Sequence, residues 1–436
     1  MVNTNGAALY ERALKVMPGG CSRNAVIKKP HPLYAAFGEG CYLTDTEGNR
    51  RIDFSNNMGS LIHGHACSAV IQAVEAQMRR GTAYMMATEA EVEYAEYLCG
   101  RAPAFEKIRF LNSGTEAVMC AIKVARAFTG RPMIAKVEGA YHGLYDYVEV
   151  SESAQPANWG DLDEPNSVPV AQGTPMSALA EVVVIPFNDT NRALALLEKH
   201  ASQLACVLID LMPHRVGLMP ADPGFVTALR EWTRKHGVLL VFDEVITFRT
   251  TYTGAQGNYD VRPDLTALGK IIGGGFPVGA LAGGSEVMNV LDPSSGKALV
   301  PHSGTFNANP ITMVAGRAAM KAFDEAAVMR LNHLGELTRK HLREIIQRAG
   351  VPACVTGTGS VFRIHFKPVP PRNHREAFVT PADRARQHAF LSHVLQNQVL
   401  LIETCSGMLS TAMTEREIEV LGAAVLGGLS LVARGH

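Results

Sequence analysis

A lysine in an otherwise uncharged stretch is a group that can do chemistry. Residues 265–280, LTALGKIIGGGFPVGA, carry one charged side chain, Lys270, followed by Gly273, Gly274 and Gly275. An amine among apolar residues and glycines is desolvated, so its pKa falls and it becomes nucleophilic towards a carbonyl. Upstream, residues 238–245 read VLLVFDEV. This pattern predicts a buried strand whose acids emerge at its C-terminal end, where open α/β sheets bind ligands. Asp243 and Lys270 are 27 residues apart (270 − 243), room for a loop and a short element before the lysine turn. A lysine that forms a Schiff base and an acid that pairs with a pyridinium nitrogen are the two groups pyridoxal phosphate requires. The plainer reading of Asp243 is a helix cap after the strand.

Three further stretches add candidates. In residues 109–120, RFLNSGTEAVMC, a short strand leads into Ser113, Gly114 and Thr115, with a helix from about Thr115. Hydroxyls and N–H groups at a helix start form an anion site, here a phosphate cradle. An ordinary N-cap has the same geometry without the ligand. No lysine follows the glycine, so this is not a nucleotide P-loop. Tyr141, in EGAYHG after a strand-like run over Met133–Val137, is either a ring laid over a flat cofactor or a core tyrosine. Arg23, in the loop PGGCSRN, is either solvated or a bidentate clamp for a substrate carboxylate.

The elements that must position these groups follow from the rest of the chain. Apolar runs at 182–186, 207–212 and 238–242 alternate with helical stretches at 190–203 and 222–236, predicting a parallel sheet with crossover helices. Before them come a helix over 6–16, a hairpin from 34–44 and 51–54 around DTEGNR, and helices over 68–80 and 88–101. A long loop is expected over 151–181. After the lysine come a polar loop at 301–310 and a helix near 311–327. A helical segment from about 330, VTGTGSVFRIHF, and helices over 381–397 and 414–433 then predict a separate α+β domain.

The 436 residues are 47% hydrophobic and 19% charged, with 41 basic and 41 acidic side chains. This balance suits a globular enzyme of more than one domain and offers no electrostatic case for nucleic acid or membrane. No apolar run approaches the ~20 residues of a membrane span. The first twenty residues lack a secretion-signal pattern, and the eight cysteines are scattered without ligand spacing; both predict a cytoplasmic protein with reduced thiols. His63 and His65 stand in HGH, but without HExxH no metal site is expected.

With these motifs assembled, the chain resembles class III aminotransferases of PLP fold type I, and most nearly the glutamate-1-semialdehyde aminomutase-like subgroup. The matching motifs, in the family's order, are PGG, NSGTEA, YHG, VFDEV, ALGK-IIGGG and HSGTF. The resemblance implies an α/β fold: a large doubly wound, mainly parallel sheet domain over residues 61–328, and a smaller α+β domain from 1–60 and 329–436. It implies that Lys270 binds pyridoxal 5'-phosphate, Asp243 pairs with the ring nitrogen, Ser113, Gly114 and Thr115 hold the phosphate, and Tyr141 stacks on the ring. Thr305 of HSGTF would reach the phosphate of a partner subunit, which implies a homodimer with composite sites.

Departures from the subgroup bear on the substrate. Residues 209–217, IDLMPHRVG, bring His214 and Arg215 towards the expected site mouth, and Met58-Gly59-Ser60 replaces a Trp-Gly-Pro stretch. The second arginine that related β-amino-acid aminotransferases carry near the C-terminus is absent. These departures favour intermolecular amino transfer over aminomutation, with Arg23, His214 and Arg215 gripping carboxylates. The expected donor is an amino acid, with an aromatic D- or β-amino acid favoured by a similarity to D-phenylglycine-type aminotransferases; the expected acceptor is a 2-oxo acid such as 2-oxoglutarate. A racemase or epimerase, or an aminomutase, would use the same lysine and aspartate.

Overall fold

The computed structural model describes residues 5–294 and 296–434, so the outermost residues of the two expected end segments lie outside the described residues. Its centre is a seven-stranded sheet. The strands are β1 (Lys107–Leu111), β2 (Met133–Val137), β3 (Val182–Ile185), β4 (Leu204–Asp210), β5 (Leu239–Asp243), β6 (Leu265–Gly269) and β7 (Gly279–Gly283). They lie in the order β1-β7-β6-β5-β4-β2-β3. β7 runs antiparallel to both its neighbours, and the other pairs are parallel. Strands β2 to β6 are buried along their whole length. Covering on both faces explains why they read as unbroken apolar runs rather than alternating ones.

Crossover helices follow the strands. Helix α1 (Gly114–Thr129) starts on Ser113, which accepts from the Glu116 N–H, and ends at left-handed Gly130. Helix α2 (Thr190–Glu198) is capped by Asp189, and α3 (Pro223–His236) ends at left-handed Gly237. The expected alternation of strand and helix is present. The run expected at 207–212 begins earlier, because Leu204, Ala205 and Cys206 are also buried in the sheet.

Both chain ends build smaller sheets outside this one. Strands Ala35–Glu39, Tyr42–Asp45 and Arg50–Asp53 form an antiparallel meander. The single strand expected over 34–44 is broken at Gly40, whose φ of 55° reverses the chain at little steric cost to a glycine. Val399–Leu400 adds in parallel beside Ile52 and Asp53, joining the two ends of the sequence in one sheet. A second small sheet contains Cys354–Thr356, Val361–His365 and Ser406–Met408. The helix expected over 311–327 is instead two. Helix α4 (Pro310–Ala322) stops at Phe323, and Asp324 caps the start of α5 (Glu325–Ala349) through the Ala327 N–H.

The stretch 151–181 is mostly irregular, with one short helix at Met176–Ala180. It is tied down by Arg375, which donates to the carbonyls of Trp159, Gly160 and Asp161 while pairing with Glu138 at 3.0 Å.

Gly316 of α4 sets how closely that helix approaches the lysine turn. A Cβ there would lie 2.1 Å from the Ile272 carbonyl oxygen and 2.8 Å from the Tyr94 ring. Tyr94 itself donates to the same carbonyl at 2.5 Å. Gly316→Ala is expected to destabilise the protein by about 1–3 kcal/mol through overpacking. Thermal unfolding would check this, and an unchanged melting temperature would contradict it.

Candidate active site

The chemistry gathers at the C-terminal ends of β4, β5 and β6. Asp210 ends β4 and Asp243 ends β5, as direct register neighbours on adjacent parallel strands. Lys270 follows β6 with φ of 48°, a left-handed conformation that costs a side-chain-bearing residue about 1–2 kcal/mol. Burial lowers the Lys270 pKa, and the neighbouring Asp243 and Asp210 charges oppose that fall. Asp243 is fixed through both oxygens: Oδ1 accepts from the Val245 N–H at 3.0 Å, and Oδ2 lies 2.7 Å from His142 Nδ1. Burial, and after it the neighbouring Asp243, push the Asp210 carboxyl well above the ordinary carboxylate range. Glu244, the second acid of the strand end, has a different place. It is buried and accepts from the Ala255 and Gln256 backbone N–H groups, and burial raises its pKa to about 7.

Beside this cluster lies the start of α1. Glycines allow three segments to close on Ser113, Gly114 and Thr115. A Cβ on Gly114 would come within 2.9 Å of Val245, one on Gly143 within 2.4 Å of Thr115 Oγ1, and one on Gly279 within 2.0 Å of the Ser113 carbonyl oxygen. The first N–H groups of a sixteen-residue helix are thereby held next to the Asp243 strand end and the His142 turn, a cradle for an anion.

A cavity of about 950 Å³ opens alongside, and its wall includes Gly275 of the lysine turn together with Arg23, His214 and Arg215. The three residues expected to grip carboxylates therefore meet in one space. Arg23 Nη1 donates to Asn57 Oδ1 at 2.6 Å, and Asn57 and Met58 hold a left-handed turn beneath it with φ of 50° and 57°. Arg215 pairs with buried Glu152 at 2.9 Å, its guanidinium 5.4 Å above the Tyr141 ring. His214 Nε2 lies 3.2 Å from both Ser406 Oγ and Thr404 Oγ1. Burial, then the charges of Arg363, Lys270 and Arg215, push the His214 pKa down to about 3. At neutral pH this imidazole is uncharged, so it offers a hydrogen bond and not a cation. Thr305 is exposed on a separate small hollow with Tyr84 and Met86.

The profile of the aminotransferase class-III family matches residues 25–410. The chain belongs to the class-III aminotransferases. Among curated relatives, this aminotransferase is 40% identical over 370 residues to the glutamate-1-semialdehyde 2,1-aminomutase of Methanothermobacter thermautotrophicus, covering 85% of each chain. Among solved structures it matches an omega-transaminase from Sphaerobacter thermophilus at 46% identity and a TM-score of 0.96, covering 99% of this chain and 98% of that one. It also matches a β-phenylalanine aminotransferase from Variovorax paradoxus at 33% identity and a TM-score of 0.88, covering 99% and 94%. Pyridoxal phosphate is the cofactor of the family, and the residues present fit it. The chain supplies a desolvated amine, a carboxylate fixed at both oxygens, and a helix start that glycines leave open.

The sequence motifs leave out Asp210, Glu152 and Arg363 as site residues and offer His142, with Tyr141, as an aromatic ring over the cofactor, whereas in the structure its ring hydrogen-bonds Asp243. Asp210 carried the same signal as Asp243, an acid closing an apolar run. Arg363, a lone cation inside VFRIHF, was legible on similar grounds. Glu152 had no local signal, because its place under Arg215 is set by the irregular chain around it.

Lys136 of β2 is fully buried behind Tyr141 and His142 and donates to the Val150 carbonyl at 2.7 Å. Burial lowers its pKa from 10.5 to about 7, against opposing pulls from Glu152 and Glu138. Below pH 7 the amine is charged in both folded and unfolded chains, and its burial penalty is present in full. Between pH 7 and 10.5 only the unfolded chain keeps the proton, so this group makes stability rise with pH. Lys136→Met is expected to flatten that rise. Melting curves from pH 6 to 10 with the same slope in both proteins would contradict it.

Proposed function

We propose that this enzyme moves an amino group from an amino acid with a large apolar side chain to a 2-oxo acid such as 2-oxoglutarate, with an aromatic D- or β-amino acid as the favoured donor class. The observation that carries this reading is the cavity whose wall includes Gly275 of the lysine turn and combines apolar side chains, among them Leu33, Met58, Leu61 and Phe378, with Arg23, Arg215 and Arg363. A site that alternates between an apolar donor and a dicarboxylate acceptor needs both surfaces. The similarity to a protein named as a β-phenylalanine aminotransferase supports the aromatic donor.

When bound, pyridoxal phosphate supplies the electron sink that lets a proton leave the substrate carbon. Lys270 would anchor the cofactor, and its Nζ, with a pKa lowered by burial, would serve as the base that carries this proton. Asp243, oriented by His142 and Val245, holds the ring nitrogen protonated. Ser113, Gly114 and Thr115 take the phosphate, and Tyr141 covers the ring. Arg23 receives the donor carboxylate; among the described residues no carboxylate pairs with it, so its charge is available. Arg215 receives a second carboxylate by exchanging out of its pair with Glu152, while neutral His214 adds a hydrogen bond.

The working unit in this reading is a cytoplasmic homodimer in which Thr305 serves the partner's phosphate site. Exposed Tyr84, Met85, Met86 and Phe306 around the Thr305 hollow supply the apolar surface a second copy would cover. The 40% identity to an aminomutase favours a second reading in which one substrate is rearranged without an acceptor. Stoichiometric oxo-acid release in a single-turnover donor assay separates the two.

Lys270→Ala is expected to lose transamination and the visible absorbance of the bound cofactor while remaining folded; a coloured, active variant would refute the anchor. Asp243→Asn is expected to retain cofactor but lose rate by on the order of 10²-fold or more, and near-normal turnover would point to another ring-nitrogen partner. Arg23→Ala is expected to weaken the donor half-reaction, and Arg215→Ala chiefly that of 2-oxoglutarate. One charged hydrogen bond is worth about 1.5–3 kcal/mol, roughly ten- to more than hundred-fold in kcat/KM. With pyruvate as the monocarboxylate control, equal losses for both acceptors would remove Arg215 from the dicarboxylate site.

A further inference from the structure

The wall of the cavity holds a buried charge that no carboxylate of the described residues neutralises. Arg363 occupies the centre of Val361–His365, the middle strand of the second small sheet, and is 3% exposed. Its Nη1 donates to the His214 carbonyl at 2.9 Å, and its Nε is buried without a partner. Other buried arginines are better satisfied. Arg101 donates to the carbonyls of Tyr252, Met320 and Phe323, although its Nη2 is also buried without a partner. Arg249 reaches Ser360 Oγ and the carbonyls of Gly59 and Leu409. Arg339 reaches the Gly359 and Val361 carbonyls and Glu336. Those three hold structure together. Arg363 lines the 950 Å³ cavity with one intramolecular acceptor. Burial lowers its pKa to about 10, so it is still a cation at neutral pH, and a buried cation is costly unless something pairs with it.

The place of Arg363 indicates what that partner is. Arg363 shares the cavity wall with Arg23, His214, Arg215 and Gly275 of the lysine turn, and its Nη1 is held on the His214 carbonyl. A molecule seated in that wall beside the lysine turn can present an anion to Arg363.

We infer that Arg363 is a specificity-determining residue, the permanent half of a dicarboxylate site whose exchangeable half is Arg215. Its open guanidinium N–H groups take the second carboxylate of a five-carbon dicarboxylic substrate. This inference rests on the proposed reading of the cavity as the substrate site of an aminotransferase. It also accounts for the missing C-terminal arginine, since a cation from the middle strand of the small sheet stands in the wall instead. The chemistry is binding only: a guanidinium–carboxylate pair forms, water is released, and no covalent bond changes.

The test uses the holoenzyme and two probes of similar chain, glutarate and butyrate, with binding read by calorimetry so that turnover is not needed. The wild-type protein is expected to bind glutarate more tightly than butyrate. Arg363→Met should weaken glutarate at least tenfold and leave butyrate within twofold. It should also raise the KM for 2-oxoglutarate without changing that for pyruvate, and melt no lower than wild type because an uncompensated buried charge is gone. Arg363→Lys keeps the charge without the fork and should recover part of the glutarate affinity; if the methionine variant fails to fold, the lysine variant alone should still show glutarate weakened about threefold or more against unchanged butyrate. Equal effects on the two probes, glutarate affinity unchanged in the variants, or no wild-type preference for glutarate would overturn the inference. Arg363-dependent glutarate binding in an enzyme that fails to transaminate 2-oxoglutarate would instead sink the proposed function alone.

Discussion

The structure depends on keeping an amine and two carboxyls dry at the ends of three adjacent strands. Lys270, Asp243 and Asp210 sit where β6, β5 and β4 end; the two acids offset part of the cost of burying the lysine charge, while Asp243 opposes ionisation of Asp210. Burial opposes ionisation of every group in the set. Asp210 yields most, its carboxyl pushed well above its ordinary range by burial and by Asp243. Asp243 is the more firmly fixed of the two, since a backbone N–H and the His142 ring both hold it. The result is a firmly held acid beside a lysine whose proton is loosened by burial.

Close backbone packing follows from that requirement. The lysine turn must be pressed against the sheet end to exclude water, and glycines permit it. Gly279 lets β7 approach Ser113, Gly316 lets α4 approach Ile272, and Gly143 lets the histidine turn approach Thr115. The helix start that results is pinned between strand ends and cannot drift from the amine. A positive φ at Lys270 shows the same constraint from the chain's side, as backbone strain held by its surroundings.

Outside this dry centre the charges are handled differently. Arg215 and Glu152 pair at the cavity wall, Arg375 and Glu138 tie down the irregular segment after residue 150, and Arg363 has a carbonyl for its partner. A catalytic centre gains from groups locked in place. Under the proposed function, a wall that meets apolar and dicarboxylic molecules in turn gains from groups that can change partners.

The sequence by itself determined the strand ends, the lysine turn and the helix cradle. Each is a local pattern, an apolar run closed by an acid or a hydroxyl and glycine opening a helix, and local sterics and burial decide what such patterns become. Element boundaries were legible to within a few residues, except where a single backbone conformation intervened, as at Gly40 and at the Phe323–Asp324 break. Only the tertiary structure decided that Arg23, Arg215 and Arg363 share one cavity, that Glu152 lies under Arg215, and that His214 is neutral. Those facts depend on segments from 63 (215 − 152) to 340 (363 − 23) residues apart in the sequence folding against each other. The state of a charge is set by what surrounds it in space, and neighbours in sequence carry little of that information.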